Sequence, residues 1–147
     1  MNAANRRDGQ PPPQSSPKGA GGGLSTAFTI DSLYNLRAEV AAHALHLGLA
    51  EPQLSNMLVV ATELATNVVR HGGGAGRLRL WRDGDSIFCE VSDDGPGIAL
   101  PHAAGLRPVP LAYDGGRGLW LVRHFTDTLE IVNRELGATV TVSMQIR

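Results

Sequence analysis

The stretch "ATVTVSMQI", residues 138–146, constrains the fold more than any other part of the chain. Val140, Val142, Met144 and Ile146 fall on one side, and Thr139, Thr141, Ser143 and Gln145 on the other. A period of two this clean is that of a strand with one buried and one wet face, the pattern of an antiparallel sheet. "RLRLWR" and "SIFCEVSD" repeat the pattern and flank Asp83-Gly84, a strong hairpin turn. They place Leu78, Leu80, Ile87, Cys89 and Val91 inward, with Arg77, Arg79 and Trp81 outward. "TAFTI" and "DTLEIV" supply two further strands.

A sheet that is apolar on one face needs helices on that face. Leu33, Leu36, Val40, Ala44 and Leu47 recur at helical spacing after Asp31-Ser32, which can cap the helix, and Gly48 ends it. Glu51-Pro52 opens a second helix, striped by Leu54, Met57, Leu58, Ala61, Leu64, Ala65 and Val68 and stopped by Gly72-Gly73-Gly74. "LWLVRHF" reads as a short third helix. The expected fold class is an α+β two-layer sandwich, a mainly antiparallel sheet covered on one face by helices.

The 147 residues suit one domain. Residues 1–25 are rich in Pro, Gly, Ser and Gln. They have too little apolar surface to offset ordering entropy, so a disordered tail is expected there and the folded domain over 26–147. The formal net charge of −1 gives no support to a nucleic-acid binder. No run approaches the ~18 apolar residues of a membrane helix, and no signal peptide is visible. One cysteine, Cys89, excludes an internal disulfide, so a cytoplasmic protein is expected. Cys89 faces inward on its strand and reads as core. His43 and His46 have no companion carboxylates or cysteines for a zinc site.

Three stretches carry chemistry. Glu63 and Asn67, one helical turn apart, share a face of the second helix nearly opposite its apolar stripe, with Arg70 on the same line and Val59 and Val60 beside it. This is either a solvated back face or the wall of a site. Asp93 has the parity of Ile87, Cys89 and Val91. It is either an Asx-turn residue or a carboxylate entering the covered layer, where it needs a donor. "DGGRGLWLV" sets Gly115, Gly116 and Gly118 before an apolar helix. Either it is a plain Gly-rich loop or its free N–H groups cradle a phosphate. Lys18 is the only lysine and lies in the tail, so a P-loop is excluded. A polyphosphate would have to be met by backbone N–H groups, arginine and a divalent cation.

Together, E-x-x-x-N at Glu63–Asn67, D-x-G-x-G at Asp93–Gly97 and G-x-G-L at Gly116–Leu119, in that order, resemble the GHKL or Bergerat-fold ATP-binding superfamily. The likeness covers about Leu24 to Arg147. "ATELATNVVRHG" and "GGRGLWLV" are most similar to its anti-sigma factor serine kinases of actinobacterial type. The resemblance implies ATP and Mg²⁺ as cofactors. Asp93 would accept the adenine amino group, with Gly95 and Gly97 letting the loop turn beside the base. Asn67 would hold Mg²⁺, and Gly116, Arg117, Gly118 and Leu119 would meet the phosphates. Glu63 would be the general base toward a substrate serine, and residues 98–114 the ATP lid. It also implies a sigma factor and an anti-sigma factor antagonist as partners, and a homodimer. One departure from the family pattern is that parity turns Ala138 inward and Thr139 outward, where many members use an early threonine near the base. An ATP- or ADP-responsive module without phosphotransfer stays open as the alternative.

Overall fold

The computed structural model describes residues 23–95 and 117–147. The elements are β1 (Leu24–Thr29), a 3₁₀ turn (Ile30–Ser32), α1 (Leu33–Leu47), α2 (Gln53–His71), β2 (Ala75–Asp83), β3 (Ser86–Asp93), α3 (Arg117–Phe125), β4 (Thr128–Asn133) and β5 (Ala138–Gln145). The strands form one sheet in the order β1-β2-β3-β5-β4, every neighbouring pair antiparallel. The expected α+β two-layer sandwich is the observed one. β1 begins at Leu24, so Leu24 and Ser25 belong to the sheet rather than to the expected tail. The rest of that expectation, over residues 1–22, lies outside the described residues, as does the lid expected at 98–114.

Period-two parity orients the sheet as the sequence requires. Leu78, Leu80, Ile87, Cys89, Val91, Val140, Val142 and Met144 are buried in one core with the helices. Gly84, at φ +65°, makes the tight β2–β3 turn that sets Asp83 against Ser86. Burial drives the Cys89 thiol up to about 12, with Glu90 adding to the effect, so it is core and not a nucleophile. The opposite face is less wet than parity alone predicts. Trp81 keeps only 9% of its surface. It stacks on Phe88 with ring centroids 5.4 Å apart. Arg79 lies 4.9 Å from its ring and pairs with Glu90 at 2.9 Å. The cross-strand register Trp81↔Phe88 and Arg79↔Glu90 brings these side chains together.

The helix ends show how local chemistry sets the boundaries. Ser32 does not cap α1 with its side chain. Its hydroxyl instead accepts the Thr29 N–H at 2.9 Å, which ties down the 3₁₀ turn. Gly48 closes α1 at φ +119°, donating to Ala44 and Leu45 carbonyls, while Arg82 donates to Leu47 O at 2.9 Å. Pro52 stands just before α2 rather than inside it, and Glu51 accepts the Ser55 N–H and hydroxyl at 3.1 and 2.9 Å.

α2 is the central helix, packed by α1 on one side and α3 on the other. It therefore buries Met57, Val60, Ala61, Leu64, Ala65 and Val68, a wider arc than a helix at the edge of a layer needs. Val60, expected beside an outward polar line, is fully buried. The reason is α3, which covers that flank.

Candidate functional site

Val60 and Asn67 lie seven residues apart, which places them about 20° apart around α2. The polar line therefore runs along the margin of the buried arc, not opposite it. Glu63 and Asn67 are half-buried there, whereas Arg70 is exposed. α3 supplies the other wall. A β-carbon at Gly118 would stand 2.5 Å from Glu63 Oε1 and 3.7 Å from Asn67 Oδ1. Gly118 thus lies within the first turn of α3, not before it, and brings that turn's backbone onto the Glu63 carboxylate. The amphipathic pattern of α3 fixes this pose, since Leu119 and Val122 are buried in the common core. The first-turn N–H groups of a helix have no intrahelical partner and carry the positive end of its dipole. A carboxylate and an amide oxygen therefore converge on a region of positive potential.

The second half of the site lies at the C-terminal end of α2. Asp93 ends β3 on its helix-facing side, and Gly72 follows α2 directly above it. A β-carbon at Gly72 would come within 2.8 Å of Asp93 Cγ and Oδ2. Asp93 Oδ1 accepts the Gly95 N–H at 2.7 Å. The two readings of Asp93 left open by the sequence hold together: it makes an Asx-type bond with one oxygen and presents the other to the covered layer. A β-carbon at Gly95 would run into the Gly72 backbone, and one at Gly72 into the Asp93 carboxylate, so neither position has room for a side chain. Nine residues of helical rise separate Glu63 from Gly72, about 13 Å. That span suits an extended ligand with a hydrogen-bonding ring at one end and negative charge at the other.

A family model described as the histidine kinase-like ATPase domain matches residues 26–144. The chain belongs to this family. It is thus one of the GHKL, or Bergerat-fold, ATPases, and the family is one of ATP-binding domains. Solved structures repeat the fold. The RsbU and RsbW domains of Rv1364c from Mycobacterium tuberculosis align with a TM-score of 0.60 at 16% identity, over 83% of this chain and 32% of that one. This chain thus spans about a third of that protein's length. The mycobacterial sensor histidine kinase MprB aligns at 0.56 and 15% identity, over 84% and 99%. The Acinetobacter baumannii histidine kinase AdeS aligns at 0.56 and 15%, over 84% and 68%. No curated protein matches the chain.

Within this histidine kinase-like ATPase domain, the structure brings together Glu63, Asn67 and Gly118 in one place and Asp93 and Gly95 in another, while the Leu119 side chain is buried in the core. Arg117 opens α3. Gly97 and Gly116 lie outside the described residues. Among the described residues no His, Cys, Asp or Glu cluster could hold a metal, and His43 turns its ring to Glu39 O at 2.9 Å. Thr139 faces away from the core side of β5, as parity requires. Sequence reasoning missed three contributors. Gly72 read only as a helix stop, although it packs on the Asp93 carboxylate. Arg134 and Gly137, between β4 and β5, touch the Asp93 main chain and carry no motif. A small cavity between α1 and α2, lined by Leu36, Val40, Thr62 and Ala65 among others, lies on the far flank of α2 from Glu63 and has no place in this site.

Proposed function

We propose that the domain binds ATP with Mg²⁺ between α2, the end of β3 and the start of α3, and acts as an anti-sigma factor that phosphorylates a serine of its antagonist. The observation that carries this is the Glu63 carboxylate held against the first turn of α3, where the phosphates would lie. In this reading Asp93 Oδ2 accepts the adenine amino group, and Gly95 with Gly97 shapes the turn beside the base. Backbone N–H groups of Gly116, Arg117, Gly118 and Leu119 meet the phosphates.

The donor set fits a magnesium ion bound mainly through the nucleotide. Asn67 is half-buried, its amide oxygen faces the α3 turn, and none of the hydrogen bonds described engages it. A hard cation of this size takes one or two protein oxygens and completes its shell with phosphate and water. Its chemistry is neutralisation of the charge that develops on the phosphates. Glu63, also half-buried, takes the proton of the acceptor serine as the serine oxygen bonds to the γ-phosphorus and the bond to the β–γ bridging oxygen breaks, releasing ADP.

The sigma factor, the antagonist, homodimerisation and a cytoplasmic location belong to the same proposal. The partners and the homodimer rest on the resemblance carried by the motif phrases around Glu63 and Gly118, and the location on the single cysteine, Cys89. Among the described residues no helix is long and apolar enough to cross a membrane. The test is incubation with γ-labelled ATP, Mg²⁺ and candidate antagonists recovered from the native host. Label on an antagonist serine is the expected outcome. ATP binding without transfer to any cognate antagonist would leave a binding module instead of a kinase.

A further inference from the structure

Asp93 is restrained on its main-chain side by a part of the chain that no motif marks. β4 and β5 are joined by a tight turn in which Arg134 N–H donates to Gly137 O at 2.9 Å. From the start of that turn the Arg134 guanidinium reaches the end of β3. Its Nη2 donates to Asp93 O at 2.5 Å and to Ala138 O at 3.5 Å. Its Nη1 lies 3.9 Å from the Asp94 carboxylate. Gly137 closes the same contact from below. It sits at φ +88°, and a β-carbon there would overlap the Asp93 carbonyl and come within 2.6 Å of Asp94 Cα. Two separate features of one turn therefore press on one peptide unit.

We propose that the β4–β5 turn is a positioning device for base recognition, with Arg134 as its specificity-determining residue. The inference rests on the reading of Asp93 as the adenine acceptor. Holding the Asp93 carbonyl fixes the plane of the Asp93–Asp94 peptide, and with it the course of the chain into Gly95. The Gly95 N–H donates to Asp93 Oδ1, so its direction sets the carboxylate rotation and decides where Oδ2 points. Gly72, on the other side, has no side chain and so leaves the space that Asp93 Oδ2 occupies. Arg134 touches neither base nor phosphate in this scheme. It acts through the carboxylate, and the bond to the carbonyl matters more than the ion pair, because Asp94 is 86% exposed and its pairing is screened by water.

This separates Arg134 from a residue that merely holds a turn together. If it positions Asp93, its removal weakens discrimination between adenine and guanine, because guanine presents a carbonyl where adenine has its amino group. The effect also disappears when Asp93 can no longer accept that proton, which a double-mutant cycle measures.

The experiment is calorimetric titration of Mg-ATP and Mg-GTP into the full chain. The variants are wild type, Arg134→Ala, Arg134→Lys, Asp93→Asn and the Arg134→Ala/Asp93→Asn pair. Loss of a partly exposed, charge-assisted bond leads us to expect roughly fivefold weaker ATP binding in Arg134→Ala, with the ATP/GTP ratio falling by a similar factor. Arg134→Lys should recover most of both, and Arg134→Ala should add little on the Asp93→Asn background. Equal losses for ATP and GTP, or full additivity in the double variant, would overturn the proposal. If Arg134→Ala does not fold, Arg134→Gln keeps an amide donor near the carbonyl and runs through the same cycle. Wild type that binds no ATP would instead overturn the reading of the site itself, an outcome distinct from unchanged ATP/GTP selectivity in the variants.

Discussion

Glu63 and Asn67 were legible as a pair from their spacing alone, but their setting was not. Helical periodicity places side chains around one axis and carries no information about what covers the flank. The structure moves them from an outer face to the margin of the core, because α3 packs beside Val60. Asp93 was legible from strand parity, which is robust wherever one face is buried. Gly72 and Arg134 were not, because their partners are distant in sequence and neither belongs to a periodic pattern. Glu63 gives the sharpest test at this scale. Glu63→Ala should lower phosphotransfer by on the order of a hundredfold or more, as expected for a lost general base. Nucleotide affinity measured in parallel should stay within about threefold, since the carboxylate does not itself bind phosphate. A parallel loss of both would mean that Glu63 holds the site together rather than doing chemistry.

Among the elements, α2 explains why a helix built for burial carries polar groups. Its leucine and alanine side packs on the sheet, and its margin with α3 carries Glu63 and Asn67 where the Gly118 backbone meets them. Gly118 measures how tightly the two helices meet. Gly118→Ala aims a methyl group at Glu63 Oε1, the mobile end of a side chain, so the fold should tolerate it and the helix should gain slightly in propensity. Turnover should nevertheless fall on the order of tenfold to a hundredfold, because the carboxylate is displaced from its working position. Thermal melting beside steady-state kinetics separates the two effects. The other flank of α2 carries a defect of its own. Thr62 Oγ1 is buried and has no hydrogen-bond partner among the described residues. Thr62→Val keeps the shape and removes the orphaned hydroxyl, and denaturant unfolding should show a gain of about 1 kcal/mol. A loss of stability would show that the hydroxyl is satisfied in solution.

At the scale of the molecule, the antiparallel sheet and its helix-covered face followed from two periodicities, whereas the strand order β1-β2-β3-β5-β4 did not. The aromatic cluster on the opposite face did not, because Trp81, Phe88, Arg79 and Glu90 meet only through the β2–β3 register. The C-terminal strand is latched in a way that no pattern announces. Asp127, just before β4, accepts the Gln145 N–H at 2.6 Å and an Arg147 guanidinium N–H at 2.9 Å. Gln53 at the start of α2 donates to Gln145 O at 2.6 Å and accepts the Arg147 N–H at 3.1 Å. The Gln145 backbone bond chiefly holds the Asp127 carboxyl below its ordinary value; burial opposes it, and the Arg147 bond and charge add to the lowering. A depressed carboxylate stabilises the fold above its unfolded value, near 3.8, and loses that contribution as pH falls through the folded value. Asp127→Asn should therefore be slightly less stable than wild type at pH 7, with the difference closing in acid. Because the pair is partly exposed, the effect should stay under about 1 kcal/mol. Urea unfolding at both pH values is the check, and a difference that persists unchanged below pH 3 would contradict it.

The central claim is that the C-terminal end of α2 reads an adenine and its middle, at Glu63 and Asn67, meets the phosphates. Calorimetric titration of Mg-ATP into wild type and Asp93→Asn tests this most directly, since it needs no partner protein. The expected result is one ATP per domain for wild type and binding weakened at least about tenfold in Asp93→Asn, the loss of a hydrogen bond to a charged acceptor. No binding by wild type, or equal affinity in the two proteins, would contradict it.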